Sequence, residues 1–500
     1  MDQPVSRRNL LRGLAGFAGT GAVASLRGGS STKYGPSLPA EGSVTSSAST
    51  VYRSLPDFRP PQVTVKVHRS GTAPGVVLTD CHEGHGQQGP VIIAEDGGLV
   101  WFKPVSDHGS GKMRAFDLRV QQFQGHPVLT WFQGAAVNGH GQGRYIIADT
   151  SYRQIATVEA AHGMFADLHE FFLTESGTAV FSVYGSGTAD LSGLGGVHKG
   201  RYYYGEVQEV DVMTGKLLFS WRSDRHVNFH ESYVAPSKDG RGTWDYFHIN
   251  SINIDPSDGN LVISARNCWA FYKVNRKTGA VMWRLGGKEN DFLMGPGTHF
   301  AFQHDVTPYG GGVYTVFDNE STPAVRPPSR ALVLHVNEAR RSATLLHQYH
   351  HSPPVTSSAL GSVQMLPDGH VFVGWGTSTY FTEYEPSGRV LYDGRLDVKG
   401  LVSYRAFKQP WSGLPSEPPA LAVERSPDTT VLYMSWNGAT GVARWRVLAA
   451  GSVGGLQTVG TAPKMGFETR ITLPTHPSRV AVEALDAAGK VLGRSGVQHL

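Results

Sequence analysis

From about residue 78 to residue 412 the chain runs in short stretches of alternating apolar and polar residues, broken by glycine. No stretch there repeats its apolar residues at helical spacing over a convincing length, whereas period-two alternation bounded by turn residues predicts strands. Five stretches share one form, a polar start, an alternating strand, a glycine turn and a second strand. They are LRVQQFQGHPVLTWF, LHEFFLTESGTAVFSVY, HINSINIDPSDGNLVISAR, QHDVTPYGGGVYTVFD and GSVQMLPDGHVFVGWG. Their turn glycines, Gly125, Gly177, Gly259, Gly311 and Gly369, recur with a period of about 50 residues and one longer interval between Gly177 and Gly259. That interval contains residues 222–245, which show no strand pattern.

A second hairpin follows several of these, with turns at Gly215 in EVDVMTGKLLFSW, Gly279 in KVNRKTGAVMWRL and Gly388 in EYEPSGRVLYDG. VIIAEDGGLVWFKP has the same form near Gly97. Four strands repeated at this period predict a β-propeller, whose blades bury their faces only against neighbours. Six blades fit residues 78–412. After that the spacing changes. TVLYMSWNGATGVARWRVLA, FETRITLP and RVAVEALDAAGKVLG alternate cleanly without the repeat, which predicts a small C-terminal β-sandwich of fibronectin or immunoglobulin-like kind over 421–500. The fold class expected is therefore all-β, a six-bladed propeller followed by a sandwich.

The N-terminus reads MDQPVSRRNLLRGLAGFAGTGAVASL. Adjacent Arg7 and Arg8, an apolar run from Leu14 to Val23 and a small-x-small end predict a twin-arginine signal peptide over 1–24. The implied partner is the twin-arginine export machinery, and the implied destination is extracellular or the cell envelope. Residues 25–77, rich in Ser, Gly and Pro, read as a linker or extended arm. No later stretch approaches about 18 consecutive apolar residues, so no transmembrane segment is expected in the mature chain.

Composition narrows the function. Without residues 1–24 the formal net charge falls from +4 to +2, since three arginines and one aspartate go with them. Charged residues make up 17% of the chain, with no basic patch interleaved with aromatics, so nucleic acid is not an expected ligand. Cys81 and Cys268 are the only cysteines, too few for a disulfide scaffold or a thiolate metal site.

The candidate chemistry lies where inner strands begin. In a propeller the first strand of each blade lines the central channel, so polar residues at those starts converge. Three such starts carry histidine: His169 in ADLHEFF, His248 in YFHINSI and His304 in FQHDVTP. Asn250 is two residues from His248, which places both on one face of a strand. Arg266, in LVISARNCW, ends the next strand of the same blade. Asp305 and Glu170 neighbour histidines in sequence and are expected to point the other way. Three imidazoles, an amide and a guanidinium make an anion trap. Arginine offers a planar fork to tetrahedral oxyanions, and imidazole can donate, accept or attack near neutral pH. His82, His85, His226, His230, His350 and His351 fall outside this register and read as surface or loop residues. Trp131, Tyr246 and Trp375 suit either substrate stacking or blade packing.

WDYFHINSINIDPSDGNLVISARN, the following WRLGG and the FQHD segment resemble the bacterial arylsulfotransferase family of the PAPS-independent kind, over about residues 50–410. The resemblance implies a six-bladed propeller that moves a sulfuryl group from a phenolic sulfate donor to a phenolic acceptor, by a ping-pong route through a sulfohistidine and without a cofactor. It implies His304 as nucleophile, with His169, His248, Asn250 and Arg266 holding the sulfate. His248 or His169, if protonated, would neutralise the leaving phenolate. Gram-negative members of that family carry an N-terminal sandwich used for dimerisation, whereas this chain shows a linker in front and a sandwich behind. Those members also rely on a disulfide. Here Cys81 falls in the first blade and Cys268 in the fourth, so two free thiols are expected.

Two other readings fit the same residues. One is a metal-dependent propeller hydrolase with His169, His248 and His304 as ligands, a set that suits an open zinc site but sets Arg266 beside a dication. The other is a catalytically silent, exported binding propeller.

Overall fold

The computed structural model describes residues 36–42, 51–84, 86–105, 112–397 and 400–500. The signal peptide expected over 1–24 lies outside the described residues, as do His85 and much of the arm. The described chain is all-β, with only short 3-10 turns between strands, and no helix in it is long and apolar enough to cross a membrane.

The repeat appears as successive antiparallel meanders. Val76–Cys81, Gly89–Ile93 and Leu99–Phe102 form the first. Arg114–Phe123, His126–Val137, His140–Ala148 and Gln154–Val158 follow, then Ala166–Leu173, Thr178–Ala189, Gly200–Asp211 and Leu217–Arg222. One pairing, Ala166 with Gly143, joins these two into a continuous sheet. The next meanders begin with Ile249–Ile254, His304–Gly310 and Ser362–Met365. Each first hairpin turns on the glycine of the repeat. At Gly177 φ is +80°, a conformation that residues with a Cβ enter only at a cost.

The first strands touch one another in chain order, and the circuit returns to its start. The last link is Ala406–Gln409, which pairs with Val76–Cys81 as the inner strand of the first meander. At the opposite edge Val63–His68, within the expected arm, pairs with Val390–Leu396 and extends the last meander. The stretch 222–245 holds two 3-10 turns and, contrary to its featureless sequence, a strand at Trp244–Asp245 that pairs in parallel with Tyr202 and Tyr203. Beyond residue 420 two further sheets share one apolar core that includes Leu432, Trp445, Ile471 and Val482. Ala40–Gly42 adds a strand to one of them.

Four of the inner strands break register near their start, between Phe116 and Arg119, Ala166 and Phe171, Ile249 and Ser251, and His304 and Thr307. A bulge re-aims the side chains around it. Here it turns carboxylates onto the axis, where they meet two guanidinium groups. Arg405 Nη1 lies 3.2 Å from Asp117 Oδ1, Arg405 Nη2 lies 3.1 Å from Glu170 Oε2, and Arg405 Nε lies 3.6 Å from Asp305 Oδ1. Arg119 pairs with Asp117 at 2.7 Å and also with Glu170. Arg405, Asp117, Glu170 and Asp305 are buried. Burial pushes Asp117 up to about 6 against the pull of both arginines, while those arginines hold Glu170 below its ordinary range despite its burial.

Both cysteines are free and buried, Cys81 in the first meander and Cys268 in the fourth, and burial raises both thiols, Cys81 to about 12. Trp131, Tyr246 and Trp375 are fully buried and pack the sheets.

Removing one partner from a buried ionic cluster strands the charges left behind. Arg405→Ala should therefore lower the unfolding free energy by about 3–5 kcal/mol, read from the shift of the denaturant midpoint at unchanged m-value.

Candidate active site

The side chains of interest sit at the strand starts, on the side of the axis away from the Arg405 cluster. In Ala166–Leu173 and His304–Gly310 adjacent residues split between two sides. His169 and His304 go one way, while Glu170 and Asp305, as expected, go to Arg405. The expectation that His248 and Asn250 share a face by simple alternation does not hold. His248 precedes the strand with φ +55°, and the register shifts between Ile249 and Ser251. Asn250 still reaches the neighbourhood of His304, since its Nδ2 donates to the carbonyl of Gln303 at 2.6 Å. Its Oδ1 is buried with no hydrogen-bond partner among the described residues.

The histidine rings converge. His169 and His248 lie 4.9 Å apart between centroids, nearly edge to face. Arg266 stacks its guanidinium 4.6 Å from the Phe302 ring and donates to Asn267 Oδ1 at 3.0 Å and to the Ser358 carbonyl at 3.4 Å. His304 accepts at Nε2 from the Leu360 N–H at 3.3 Å, two residues along the same loop. The field of Arg266, His248 and His169 acts on the His304 ring. The five residues singled out by sequence thus occupy one place.

What holds each ring differs. His169 Nδ1 faces Asp167 Oδ2 at 2.7 Å, and that carboxylate also accepts from the His169 backbone N–H and the Ser182 hydroxyl. His248 Nδ1 contacts Asp245 Oδ2. His304 Nδ1 instead faces an amide, Asn319 Oδ1, at 2.7 Å. The Asn319 Nδ2 donates to the carbonyls of Ser357 and Leu360, both at 3.0 Å, which fixes the oxygen toward His304. An amide oxygen only accepts, so Nδ1 of His304 carries the proton and Nε2 keeps its lone pair.

Burial, then the Arg266 charge, drives His304 well below the ordinary imidazole range. Burial pushes His248 down to about 4, with Asp245 opposing and His169 and Arg266 adding to the fall. Burial would raise Asp167, but His169 outweighs it and brings the carboxyl to about 2. Asp245 lies far below the carboxylate range for the same kind of reason, its two imidazoles outweighing burial. Both carboxylates are therefore ionised, and His248 and His304 are neutral at neutral pH.

Sequence reading missed Asp167, Asp245, Asn319 and His140. The carboxylates stand two and three residues before their histidines, in ADLH and DYFH; the first is a same-face spacing on a strand, and the second pairs only because His248 is left-handed. His140 comes from a hairpin tip of the second meander. Its Nε2 lies 2.9 Å from Asp245 Oδ2, the oxygen that His248 uses. His140, Asp245 and His248 form the one group at this site, among the described residues, whose ligand atoms lie within 4.8 Å of one another; the trio His169, His248 and His304 does not. Two histidines read as surface or loop residues are buried: His82 beside Asp80 at 3.0 Å, and His351 beside Asp393 at 3.2 Å. Each is a polar ring satisfied by a carboxylate inside the sheets.

A sequence model of the family described as Arylsulfotransferase (ASST) matches residues 119–396, more than half of the chain. No curated protein matches. Among solved structures, the chain is similar to a protein of unknown function from Bacteroides caccae, at 11% identity over 67% of this chain and 98% of that one, with TM-score 0.41. An auxiliary nutrient binding protein from Bacteroides ovatus is 12% identical over 81% of this chain and 78% of that one, with TM-score 0.32. A catalytically inactive virginiamycin B lyase from Staphylococcus aureus with quinupristin is 10% identical over 72% and 99%, with TM-score 0.30.

The Asn319 amide makes a checkable statement about protons. In ¹⁵N-detected spectra His304 should show a protonated Nδ1 and a bare Nε2 throughout the neutral range. In Asn319→Asp an added carboxylate should raise the His304 pKa, so that the ring begins to titrate at higher pH.

Proposed function

Because the chain belongs to the arylsulfotransferase (ASST) family, we propose that it moves a sulfuryl group from a phenolic sulfate ester to a phenolic acceptor through a sulfohistidine on His304. In this reading the meanders are the blades of a six-bladed propeller closed by Ala406–Gln409, the two last sheets form a C-terminal sandwich, and the N-terminal leader directs export by the twin-arginine route. The observation that carries the chemistry is the contrast behind the imidazoles. His169 and His248 have carboxylates on Nδ1, and His304 has an amide. A carboxylate supports an imidazolium, while an amide only orients a neutral ring, whose Nε2 lone pair would exchange the Leu360 N–H for the sulfur on attack.

The steps follow. Arg266 and the histidines receive the sulfate oxygens, and Arg266 supplies the fixed positive charge. The Nε2 lone pair of His304 forms the N–S bond as the S–O bond to the aryl group breaks and the phenolate leaves with the electron pair. His169, whose Asp167 serves no second imidazole by hydrogen bond, gives that oxygen a proton. In the second half the acceptor phenol transfers its proton to Nε2 of His248 while its oxygen forms the new S–O bond. The N–S bond then breaks and its pair returns to His304, and the proton taken up by His248 passes through solvent to His169, which restores both rings for the next turnover. Dividing one displacement into two in this way lets a single site serve both phenols. His248, neutral above about pH 4, is ready to act as that base.

A metal-dependent hydrolase is the reading favoured by a different observation, the closeness of ligand atoms in His140, Asp245 and His248. Stoichiometric metal in purified protein, with activity lost on chelation and regained on its return, would select it.

Mixed with p-nitrophenyl sulfate and phenol, the protein should release nitrophenolate. His304→Ala should release it about a thousand-fold more slowly or worse, as for loss of a covalent nucleophile. The wild type held with donor alone should gain the mass of one sulfuryl group on His304. Equal turnover by His304→Ala would remove the assignment.

The pH dependence has a definite sign. A base with a lowered pKa is available above that pKa and lost below it. The kcat/KM for the phenol acceptor should stay level from pH 8 to about 5 and fall only toward about pH 4, where His248 takes up a proton. An ordinary imidazole would give its fall near pH 6.5.

A further inference from the structure

Asp245 serves two imidazoles with one oxygen. Its Oδ2 accepts from His248 Nδ1 and, at 2.9 Å, from His140 Nε2. Asp167, behind His169, serves no second imidazole by hydrogen bond. His140 is not placed there by accident of packing. It begins the strand His140–Ala148 beyond a tight tip at Asn138 and Gly139, whose backbone is left-handed, and a Cβ on Gly139 would touch His248 Cε1 at 4.0 Å. The His140 ring is gripped between Tyr184, 4.0 Å away, and Tyr203, 4.6 Å away, and lies 5.7 Å from the His248 ring. Trp244–Asp245 is itself held as a strand against Tyr202 and Tyr203. Three separate pieces of chain are therefore built around one carboxylate oxygen.

We propose that His140 is a positioning residue that sets the proton affinity of His248 by competing with it for Asp245, and so keeps His248 an unprotonated acceptor of the phenol proton. The role assigned to His248 rests on the sulfuryl-transfer reading above; the coupling itself does not. A carboxylate oxygen that accepts two N–H donors divides its charge between them, and a proton on one ring disfavours a proton on the other. His140 holds its proton more tightly than an ordinary imidazole, for although burial opposes this, Asp245 outweighs it. His248 shows the opposite displacement. The groups facing His140 are Asp245, Asp167, Tyr184, Tyr203 and His248; those facing His248 are Asp245, His140, His169, Arg266 and Tyr184. None but His140 offers Asp245 a second imidazole N–H.

Two variants separate the contributions. His140→Gln keeps a donor for Asp245 without the charge, and His140→Phe fills the slot between the tyrosines without a donor. With histidine-labelled protein, the NMR titration of His248 should move up by about one pH unit in His140→Gln and at least as far in His140→Phe, as expected when a like charge within reach is removed. The acid limb of kcat/KM for the phenol should move up by the same amount. In an Asp245→Asn background the His140 substitutions should move His248 by clearly less, since only the direct repulsion between rings 5.7 Å apart remains, and a merely structural role for His140 would not produce that difference. A His248 titration that is unchanged or falls in whichever variants retain the native spectrum overturns the proposal. Protein that transfers no sulfuryl group at all would sink the functional reading alone, and the titrations would still decide the coupling.

Discussion

Everything at the centre of this protein depends on the charge cluster around Arg405. Two guanidinium groups and three carboxyl groups share the axis away from water. An unpaired charge in such a place costs several kcal/mol, so no member is tolerable without the others. The members come from first strands of three meanders and from the segment that closes the circuit. Arg405 also donates to the Asn250 carbonyl at 2.9 Å, which brings in a fourth. Glu170 and Asp305 drawn down to the arginines leave His169 and His304, one residue before each, on the opposite side. The ionic cluster and the imidazole cluster are two outcomes of one set of bulges.

The site is tuned by what stands behind each ring rather than by the rings themselves. Three identical side chains are held at Nδ1 by three different partners, an unshared carboxylate, a shared carboxylate and an amide. Arg266 supplies the site with a positive charge that does not depend on pH in the working range. Tyr404 ties the two levels together. Its hydroxyl donates to the His169 carbonyl at 2.7 Å, and its backbone N–H donates to Asp80 Oδ1 at 3.0 Å.

Much of this could be read in the residues alone. The glycine period disclosed the meanders because each turn needs the same backbone conformation, and the histidines stood out because each broke an apolar pattern at the same point of a repeat. His169, His248, Asn250, Arg266 and His304 could be grouped before any coordinate was known. The partners could not. Asp167 stands two residues before His169, on the same face by alternation, yet nothing in that spacing marks it as the ring's partner. Asp245 stands three before His248, which alternation sends to the other face. Only the left-handed backbone of His248 brings Asp245 round. Asn319 and His140 reach the site from other strands and carry no local signal. The strand in the insertion escaped notice for a similar reason, since Trp244–Asp245 pairs with a distant hairpin rather than with its neighbours.

The way the circuit closes governs when it can exist during synthesis. Val63–His68 waits for Val390–Leu396, and Val76–Cys81 waits for Ala406–Gln409. A nascent chain that has left the ribosome only as far as Leu396 already contains every imidazole of the site, but neither Tyr404 nor Arg405. Its carboxylates have no cation from the closing segment, and its first meander has an open inner edge. Contacts spanning more than three hundred residues are formed late, because the loop must be paid for before they reward it. The site is thus completed only once Ala406–Gln409 is free to pair, and products truncated before it would carry the histidines without the means to align them.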